Sequence, residues 1–215
     1  GGDAAVLKLK APGLPPSDKG LALSTDGNHR WCAVDPRAGT AMVVAESVLN
    51  VSCAGARPVA LVNCLNFGNP EHPEVMWQFA EAVDGMATAC RALGVPVVGG
   101  NVSLYNEAAG RDIDPTPVVA TLGIVDRLDA VPPGALLVAG GRILLLGEPV
   151  FDAGLGGSRW AAEIHGATGG PLPELDLVAH ARLCGLVRSL VRDGLVEGVH
   201  DVSDGGLAVA LGEMA

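Results

Sequence analysis

The sequence has 215 residues, with 14 basic against 24 acidic side chains and a formal net charge of −10 at pH 7. Because 49% of the residues are hydrophobic and only 18% are charged, a disordered chain is excluded, and the length fits one large domain or one and a half. The acidic balance argues against a nucleic-acid-binding protein, and no apolar run is long enough to span a membrane. Phosphorylated ligands are not excluded, since backbone amides and metal ions bind phosphate without net positive charge.

The five cysteines are scattered and never form a C-x-x-C pair. We interpret them as small buried side chains in a reducing compartment, which predicts a cytoplasmic protein. The chain starts at Gly1 without Met, and an apolar helical pattern begins near Gly206 with no cap to end it. We therefore expect a piece of a longer protein.

The elements follow from the hydrophobic pattern. Apolar runs bounded by turn residues predict strands at residues 3–10, 20–25, 31–34, 61–65, 95–98, 117–125 and 143–146. Apolar side chains at spacings of three and four predict helices from Pro36 to about residue 51, at 75–93 and at 175–193. A stretch rich in Pro, Gly and Ala at 127–141 is typical of a domain junction. This alternation of strands and helices indicates a layered α/β or α+β protein.

Four polar or glycine-rich stretches follow predicted strands, where ligand-binding loops usually lie: residues 24–28, 63–70, 99–107 and 200–206. The first is equally well explained as a simple turn. In the third, Gly100 lets the backbone approach a phosphate closely, and Asn101 offers the neutral oxygen that Mg²⁺ accepts. Ser103 alternates with Asn101 on the same side of an extended chain, so it faces the same ligand.

Several familiar catalytic arrangements are missing from the sequence. It contains no Walker phosphate-binding loop, and the glycines from Gly154 to Gly157 lack the spacing of a dinucleotide-binding turn. His200 stands beside Asp201, which is more often a structural pairing than a catalytic one. No nucleophile with a neighbouring base is evident in the sequence.

Taken together, the motifs resemble those of phosphoribosylformylglycinamidine synthase II. The resemblance rests on GGDAAVL at 1–7, LALSTDGN at 21–28, NCLNFGNP at 63–70, EVMWQ at 74–78, GGNVSLYNE at 99–107 and HDVSDGGL at 200–207. The family belongs to a superfamily with aminoimidazole ribonucleotide synthase, selenophosphate synthetase and a thiamine-monophosphate kinase. Asp3 and Asp26 echo two aspartates of strands that this superfamily shares.

The resemblance implies an α+β fold: a ferredoxin-like N-type domain with a mixed or antiparallel sheet and helices on one face, followed by a partial α/β C-type domain. The implied division is residues 1–127 for the second copy of the N-type domain, 128–141 for a linker and 142–215 for the truncated C-type domain. Two N-type domains normally pack into a shared barrel. Exposed here, the corresponding sheet face predicts a homodimer.

The implied reaction converts formylglycinamide ribonucleotide, ammonia and ATP into the amidine, ADP and phosphate, as a ligase of purine biosynthesis. A glutaminase subunit supplies the ammonia, and a small accessory subunit completes the complex. By correspondence, Asn63 and Gly100 contact ATP, Asn101 binds Mg²⁺ and Ser103 contacts the substrate. Asn63 departs from the family, which often has Asp there, and an amide cannot act as an ionised base. The histidines that the family uses as acid and base lie in the first N-type domain, outside this chain, and the resemblance therefore implies no catalytic residue here.

Three interpretations are open at this point. The first is a half-enzyme that contributes ATP, Mg²⁺ and substrate contacts and is inactive alone. The second is a self-contained ATP-dependent enzyme of the superfamily, such as a small-molecule kinase, against which the NVSLYNE run at 101–107 argues. The third is a structural module with a degenerate nucleotide site. For Asp201 and Asp204 we expect structural roles in a turn.

Overall fold

The computed structural model describes residues 2–136, 138–147 and 155–215. Gly1 of the first motif and Gly154 of the glycine run lie outside the described residues. The strands are β1 (Ala5–Lys8), β2 (Gly20–Gly27), β3 (Arg57–Asn66), β4 (Val97–Ser103), β5 (Glu107–Ala108), β6 (Arg111–Asp112) and β7 (Thr116–Val125). The helices are α1 (His29–Val34), α2 (Pro36–Cys53), α3 (Pro73–Leu93), α4 (Arg159–His165), α5 (Leu177–Arg192) and α6 (Gly206–Met214).

Five strands form one mixed sheet in the order β1-β2-β7-β3-β4. Only β3 and β4 run parallel, because α3 connects them as a crossover, whereas the other neighbours are antiparallel. Helices α2 and α3 cover one face, where Phe67, Leu61 and Val119 are almost fully buried. The predicted α+β fold with helices on one face of the N-terminal sheet is confirmed.

The other face of the sheet carries no helix in the described residues, and we call it the open face. Along β7, buried and partly exposed residues alternate without a break, so one set of side chains meets the helices and the other points away. The open face is largely apolar: it includes Leu23 on β2, Val62 on β3, and Leu122 and Ile124 on β7.

Local sequence explains where the main helices begin and end. Asp35 caps α2 by accepting a hydrogen bond from the backbone N–H of Ala38 at 2.8 Å, and Pro36 occupies the first turn. Helix α3 likewise starts with a proline and ends at Gly94, whose φ of 68° only glycine adopts readily. These two helices and α5 confirm the helices predicted from periodicity.

Two predicted strands are wrong. Residues 31–34 belong to helix α1, because the Asn28 side chain accepts a hydrogen bond from the Trp31 N–H at 3.2 Å and caps a helix there. Residues 143–146 are irregular and exposed, since no strand of the described C-terminal residues pairs with them. The short helix α4 and the β5–β6 hairpin were not predicted.

The C-terminal part docks on the N-terminal part through α5, which lies against α2 and α3. His180 Nε2 lies 2.9 Å from the Ala45 carbonyl oxygen, and Arg188 Nη1 donates to Ser52 Oγ at 3.2 Å. Cys184 enters the main core. All five cysteines are free thiols, and four of them are buried. Among the described residues, no helix combines the length and apolar character needed to cross a membrane.

Candidate functional site

The four residues predicted to contact ligands lie on two adjacent parallel strands. The β3–β4 register pairs Asn63 with Gly100, Cys64 with Asn101 and Asn66 with Ser103. The pairs run from the middle of β4 to its carboxyl end and lie in the second half of β3, toward the edge where ligands bind in open sheets that contain parallel strands. Because β4 is the edge of the sheet, one row of its backbone N–H and C=O groups faces outward and can meet a ligand. The structure thus brings the four residues together; their ligand roles stay predictions.

Asn63 and Gly100 lie on the helix-covered side of this edge. The Asn63 amide nitrogen lies 3.3 Å from Met86 Sδ on α3, which fixes the direction of the side chain. A Cβ on Gly100 would lie 2.6 Å from the Asn63 carbonyl oxygen, closer than real Cβ atoms come to other atoms. Glycine is therefore required for the two strands to approach this closely. The backbone of Gly100 is exposed to solvent.

Asn101 and Ser103 lie on the open face, as strand alternation requires. Asn101 is exposed beside Cys64, and Ser103 is partly buried beside Asn66. The expectation that Asn101 and Ser103 share one side of the chain is consistent with this strand. The predicted ATP pair and the predicted metal–substrate pair therefore occupy opposite faces of one sheet edge, and a ligand that contacts both must wrap around that edge.

The loops that follow β3 and β4 are tied to each other. Phe67 N–H donates to the Ser103 carbonyl oxygen at 3.0 Å, and Tyr105 N–H donates to the Gly68 carbonyl oxygen at 2.8 Å. Asp112 of the hairpin accepts from the Asn69 N–H at 2.6 Å and pairs with His72 Nδ1 at 2.6 Å. The hydrogen bond and charge of Asp112 raise the pKa of His72 above its usual value.

A second group of polar residues lies where the two parts of the chain meet; we call Asp3, Glu46, His200 and Asp201 the acidic cluster. His200 Nδ1 hydrogen-bonds to Asp3 and lies 3.3 Å from Asp201 Oδ1. The Asp201 N–H donates to Asp3 Oδ2 at 3.2 Å. The buried Asp201 Oδ2 finds no donor among the described residues while Glu46 is ionised, and protonated Glu46 hydrogen-bonds to Asp201. Asp201 is only 5% exposed and belongs to this cluster, whereas Asp204 lies in the turn before α6. The structural roles expected for both stay predictions.

Burial, together with repulsion between neighbouring carboxylates, controls protonation in the acidic cluster. Burial, with added repulsion from Asp201, raises the pKa of Glu46 to about 9. Burial and the charge of Asp201 also raise the pKa of Asp3. Although burial opposes it, the hydrogen bond with Glu213 and the charge of Asp3 raise the pKa of His200. At neutral pH Glu46 therefore retains a proton that it loses in water.

The acidic cluster could hold a cation. Asp3, His200 and Asp201 each offer one ligand atom, and these atoms lie within 4.8 Å of one another. The buried Asp201 Oδ2 gives a hard cation an anionic ligand. An adjoining cavity of about 150 Å³ is lined by Asp26, Gly27, Asn28, Trp31, Val43, Glu46, Ser203 and Asp204, so it gives access to Glu46.

Glu46 was missed in the sequence, although a signal was available. It is the only acidic residue of the 18-residue helix α2 and sits between Ala45 and Ser47, which are both buried. A lone carboxylate within such an apolar helix is unusual unless another group compensates its burial. Asn50, one turn further along α2, donates to Asp26 Oδ1 at 2.9 Å and so orients a second carboxylate beside the cavity.

Comparison with family models identifies the class of protein. Residues 1–125 match the N-terminal domain of AIR synthase related proteins, and residues 138–215 match the C-terminal domain. The chain belongs to the AIR synthase related family.

Within that family, the most informative relatives carry one name. The chain is 46% identical over 213 residues to the phosphoribosylformylglycinamidine synthase subunit PurL of Anaeromyxobacter sp. (strain Fw109-5), covering 99% of this chain and 28% of that protein. It is 50% identical to PurL of Thermomicrobium roseum, covering 98% of this chain and 28% of the relative. The resemblance to phosphoribosylformylglycinamidine synthase II is confirmed. The chain spans about 28% of the length of these curated relatives.

Solved structures agree with this result. Phosphoribosylformylglycinamidine synthase II from Thermotoga maritima superposes with a TM-score of 0.61 at 27% identity, covering 89% of this chain and 26% of that one. T. maritima PurL complexed with ATP superposes with a TM-score of 0.53 at 36% identity, covering 60% of this chain and 21% of that one.

Proposed function

We propose that this chain contributes ATP, Mg²⁺ and substrate contacts to the synthase that converts formylglycinamide ribonucleotide into formylglycinamidine ribonucleotide, and that it is inactive without the rest of the enzyme. The observation that carries the proposal is the β3–β4 register, which gathers Asn63, Gly100, Asn101 and Ser103 at one sheet edge. Among the relatives, T. maritima PurL is known complexed with ATP and with FGAR.

The chemistry fits a site without a protein nucleophile. ATP phosphorylates the amide oxygen of the substrate, and ammonia then displaces phosphate from the resulting iminophosphate. Such a reaction depends on positioning and on donors aimed at developing charge. In this chain the exposed backbone of Gly100 binds the nucleotide, Asn63 orients it and Ser103 positions the substrate.

Two sets of residues in this chain would hold Mg²⁺. Asn101 supplies one neutral oxygen at the sheet edge. The acidic cluster supplies Asp3 and Asp201, whose carboxylate oxygens lie within 4.8 Å of one another and of the His200 ring nitrogen, which supports a cation there. When bound, Mg²⁺ neutralises phosphate charge, which an acidic chain with a net charge of −10 otherwise repels.

Calorimetry with MgATP tests the nucleotide contact. We expect the chain to bind MgATP with a dissociation constant below the millimolar range, and Asn101→Ala to weaken binding by roughly tenfold, about 1.4 kcal/mol. Asn69 is partly buried on the neighbouring loop, and its side chain accepts a hydrogen bond only from the Glu71 N–H of that loop among the described residues. It provides the control Asn69→Ala, which should leave the affinity unchanged. Undetectable binding at millimolar nucleotide would favour a structural module with a degenerate site.

Complementation tests the proposed reaction itself. The complex is proposed to include a glutaminase subunit and a small accessory subunit; a T. maritima PurLQS assembly is among the solved relatives. Adding the first half of the synthase and these subunits to the chain should restore amidine formation, which neither half shows alone. Turnover by the chain alone would support a self-contained enzyme instead.

The proposed partner of the open face is an N-type domain, either the sister domain of the synthase or a second copy of this chain. We propose that residues 1–127 form that N-type domain, that 128–141 link it to the partial C-type domain at 142–215, and that the protein works in the cytoplasm. Val62 is 41% exposed on the open face. An exposed apolar side chain within an apolar surface favours contact with another protein domain.

Sedimentation tests association through the open face. The chain should dimerise at high concentration, and Val62→Lys should make it monomeric because the change places a charge within the apolar contact. Val83, 39% exposed on α3, provides the control Val83→Lys, which should leave the dimer intact. A strictly monomeric wild-type chain would contradict the prediction.

A further inference from the structure

We propose that Asn106 is a positioning residue for Ser103, and that it leaves the Ser103 oxygen as an acceptor for an N–H or O–H donor of the substrate. This inference rests on the proposed function, because that function assigns Ser103 a contact with the substrate. The observation is that both the nitrogen and the oxygen of the Asn106 side-chain amide form hydrogen bonds with residues at the ends of β3 and β4.

The contacts of Asn106 form a clamp between β3 and β4. Its Nδ2 donates to the Phe67 carbonyl oxygen at 2.9 Å and to the Ser103 carbonyl oxygen at 3.0 Å. Phe67 follows β3, and Ser103 ends β4. One side chain therefore holds the ends of the two strands that carry the predicted ligand contacts.

The remaining end of the Asn106 amide binds the Ser103 hydroxyl. Ser103 Oγ donates to Asn106 Oδ1 at 3.2 Å, and Nδ2 also lies 3.1 Å from Oγ. Because Nδ2 has two hydrogens and two carbonyl partners, the amide oxygen is the better partner for the hydroxyl. The hydroxyl hydrogen is thus engaged within the protein.

This engagement decides what Ser103 can bind. A serine hydroxyl has one hydrogen to donate and two lone pairs that accept. With the hydrogen held by Asn106, the free lone pair suits a hydroxyl or amide N–H of the substrate and disfavours a phosphate oxygen, which needs a donor.

The backbone around Asn106 is shaped to aim it at Ser103. Tyr105 adopts a positive φ of 59°, which is uncommon for a residue other than glycine. The chain bends at Tyr105, directly before Asn106, and the Asn106 N–H donates to the Phe67 carbonyl oxygen at 3.2 Å. Main chain and side chain of Asn106 therefore share one anchor at Phe67.

Kinetics of the reconstituted synthase test the inference. Ser103→Ala and Asn106→Ala should each raise the KM for formylglycinamide ribonucleotide roughly tenfold, and the double variant should be no worse than either single change, because both remove one unit. The KM for ATP should change less than about twofold, and Asn69→Ala serves as the matched control. Multiplied effects in the double variant, or equal changes in both KM values, would overturn the inference.

Side-chain amide NMR of the chain itself gives a readout that does not need turnover. Both Asn106 Nδ2 hydrogens should exchange slowly with solvent, and formylglycinamide ribonucleotide should shift their resonances, whereas inorganic phosphate should not. Fast exchange of both hydrogens, or a shift with phosphate alone, would overturn the inference. If the wild-type synthase shows no turnover, the proposed function fails, while these resonances still decide whether the clamp exists and what Ser103 accepts.

Discussion

Gly100→Ala is expected to disrupt both the edge of the sheet and the nucleotide contact. The new Cβ would lie 2.6 Å from the Asn63 carbonyl oxygen, which is backbone and cannot rotate away. The strands must separate, and overpacking of this kind destabilises a protein by about 1 to 3 kcal/mol. We expect a lower denaturation midpoint in urea and no measurable heat of MgATP binding.

The adjacent glycine supplies the control for this experiment. A Cβ on Gly99 would meet only Val62 Cγ1, at 3.9 Å, which is an ordinary contact. Gly99→Ala should therefore change stability by no more than about 0.5 kcal/mol and keep MgATP binding. Equal midpoints for the two variants would show that the approach of β4 to β3 is not constrained at Gly100.

Glu46→Gln is expected to stabilise the chain at neutral and alkaline pH. Burial raises the pKa of Glu46 to about 9 from a usual value of 4.5, so the folded state keeps a proton that the unfolded state releases above about pH 4.5. Stability from this group is therefore greatest at low pH and is lost as the pH rises from about 4.5 toward 9. Glutamine is neutral throughout, and the gain at pH 7 should be on the order of 1 to 3 kcal/mol.

Thermal unfolding between pH 5 and 9 measures this effect. The gain of Glu46→Gln over the wild type should grow with pH, and millimolar Mg²⁺ should reduce it, because a cation in the acidic cluster favours the ionised carboxylate. Glu81 is the matched control: its hydrogen bond with Arg37 lowers its pKa, so Glu81→Gln should bring no gain. A pH-independent difference for Glu46→Gln would contradict the raised pKa.

The elements that sequence predicted well are those whose pattern is local. Helix α3 shows apolar residues at regular spacing, with Pro73 at its start and Gly94 at its end, so its limits follow from neighbouring residues. Residues 31–34 are apolar enough for a strand, and only the cap from Asn28 decides for a helix. Residues 143–146 are equally apolar, but a strand requires a partner, which lies outside what a local pattern describes.

The two groups of site residues differ in the same way. Asn101 and Ser103 were found because they share one short motif, and their distance along the strand fixes their relative position. The acidic cluster joins Asp3, Glu46 and Asp201, which are separated by most of the chain. Their proximity depends on how α2, β1 and the C-terminal part pack, and no spacing in the sequence encodes it. Hydrogen bonds such as those of Asn106 likewise need side-chain directions that a motif does not give.

The pairing of Asp3 with His200 also constrains how the chain acquires its fold during synthesis. The two residues are 197 positions apart in the sequence. The Asp3 carboxylate therefore cannot bind His200 until almost all of the described chain has been synthesised. Contacts of such long sequence separation close late, because the entropy of the intervening loop must be overcome first. The sheet and its two covering helices can assemble early, whereas the acidic cluster is completed last. Until then, the nascent domain exposes a carboxylate and an open apolar face, which makes this interval the stage most prone to misassembly.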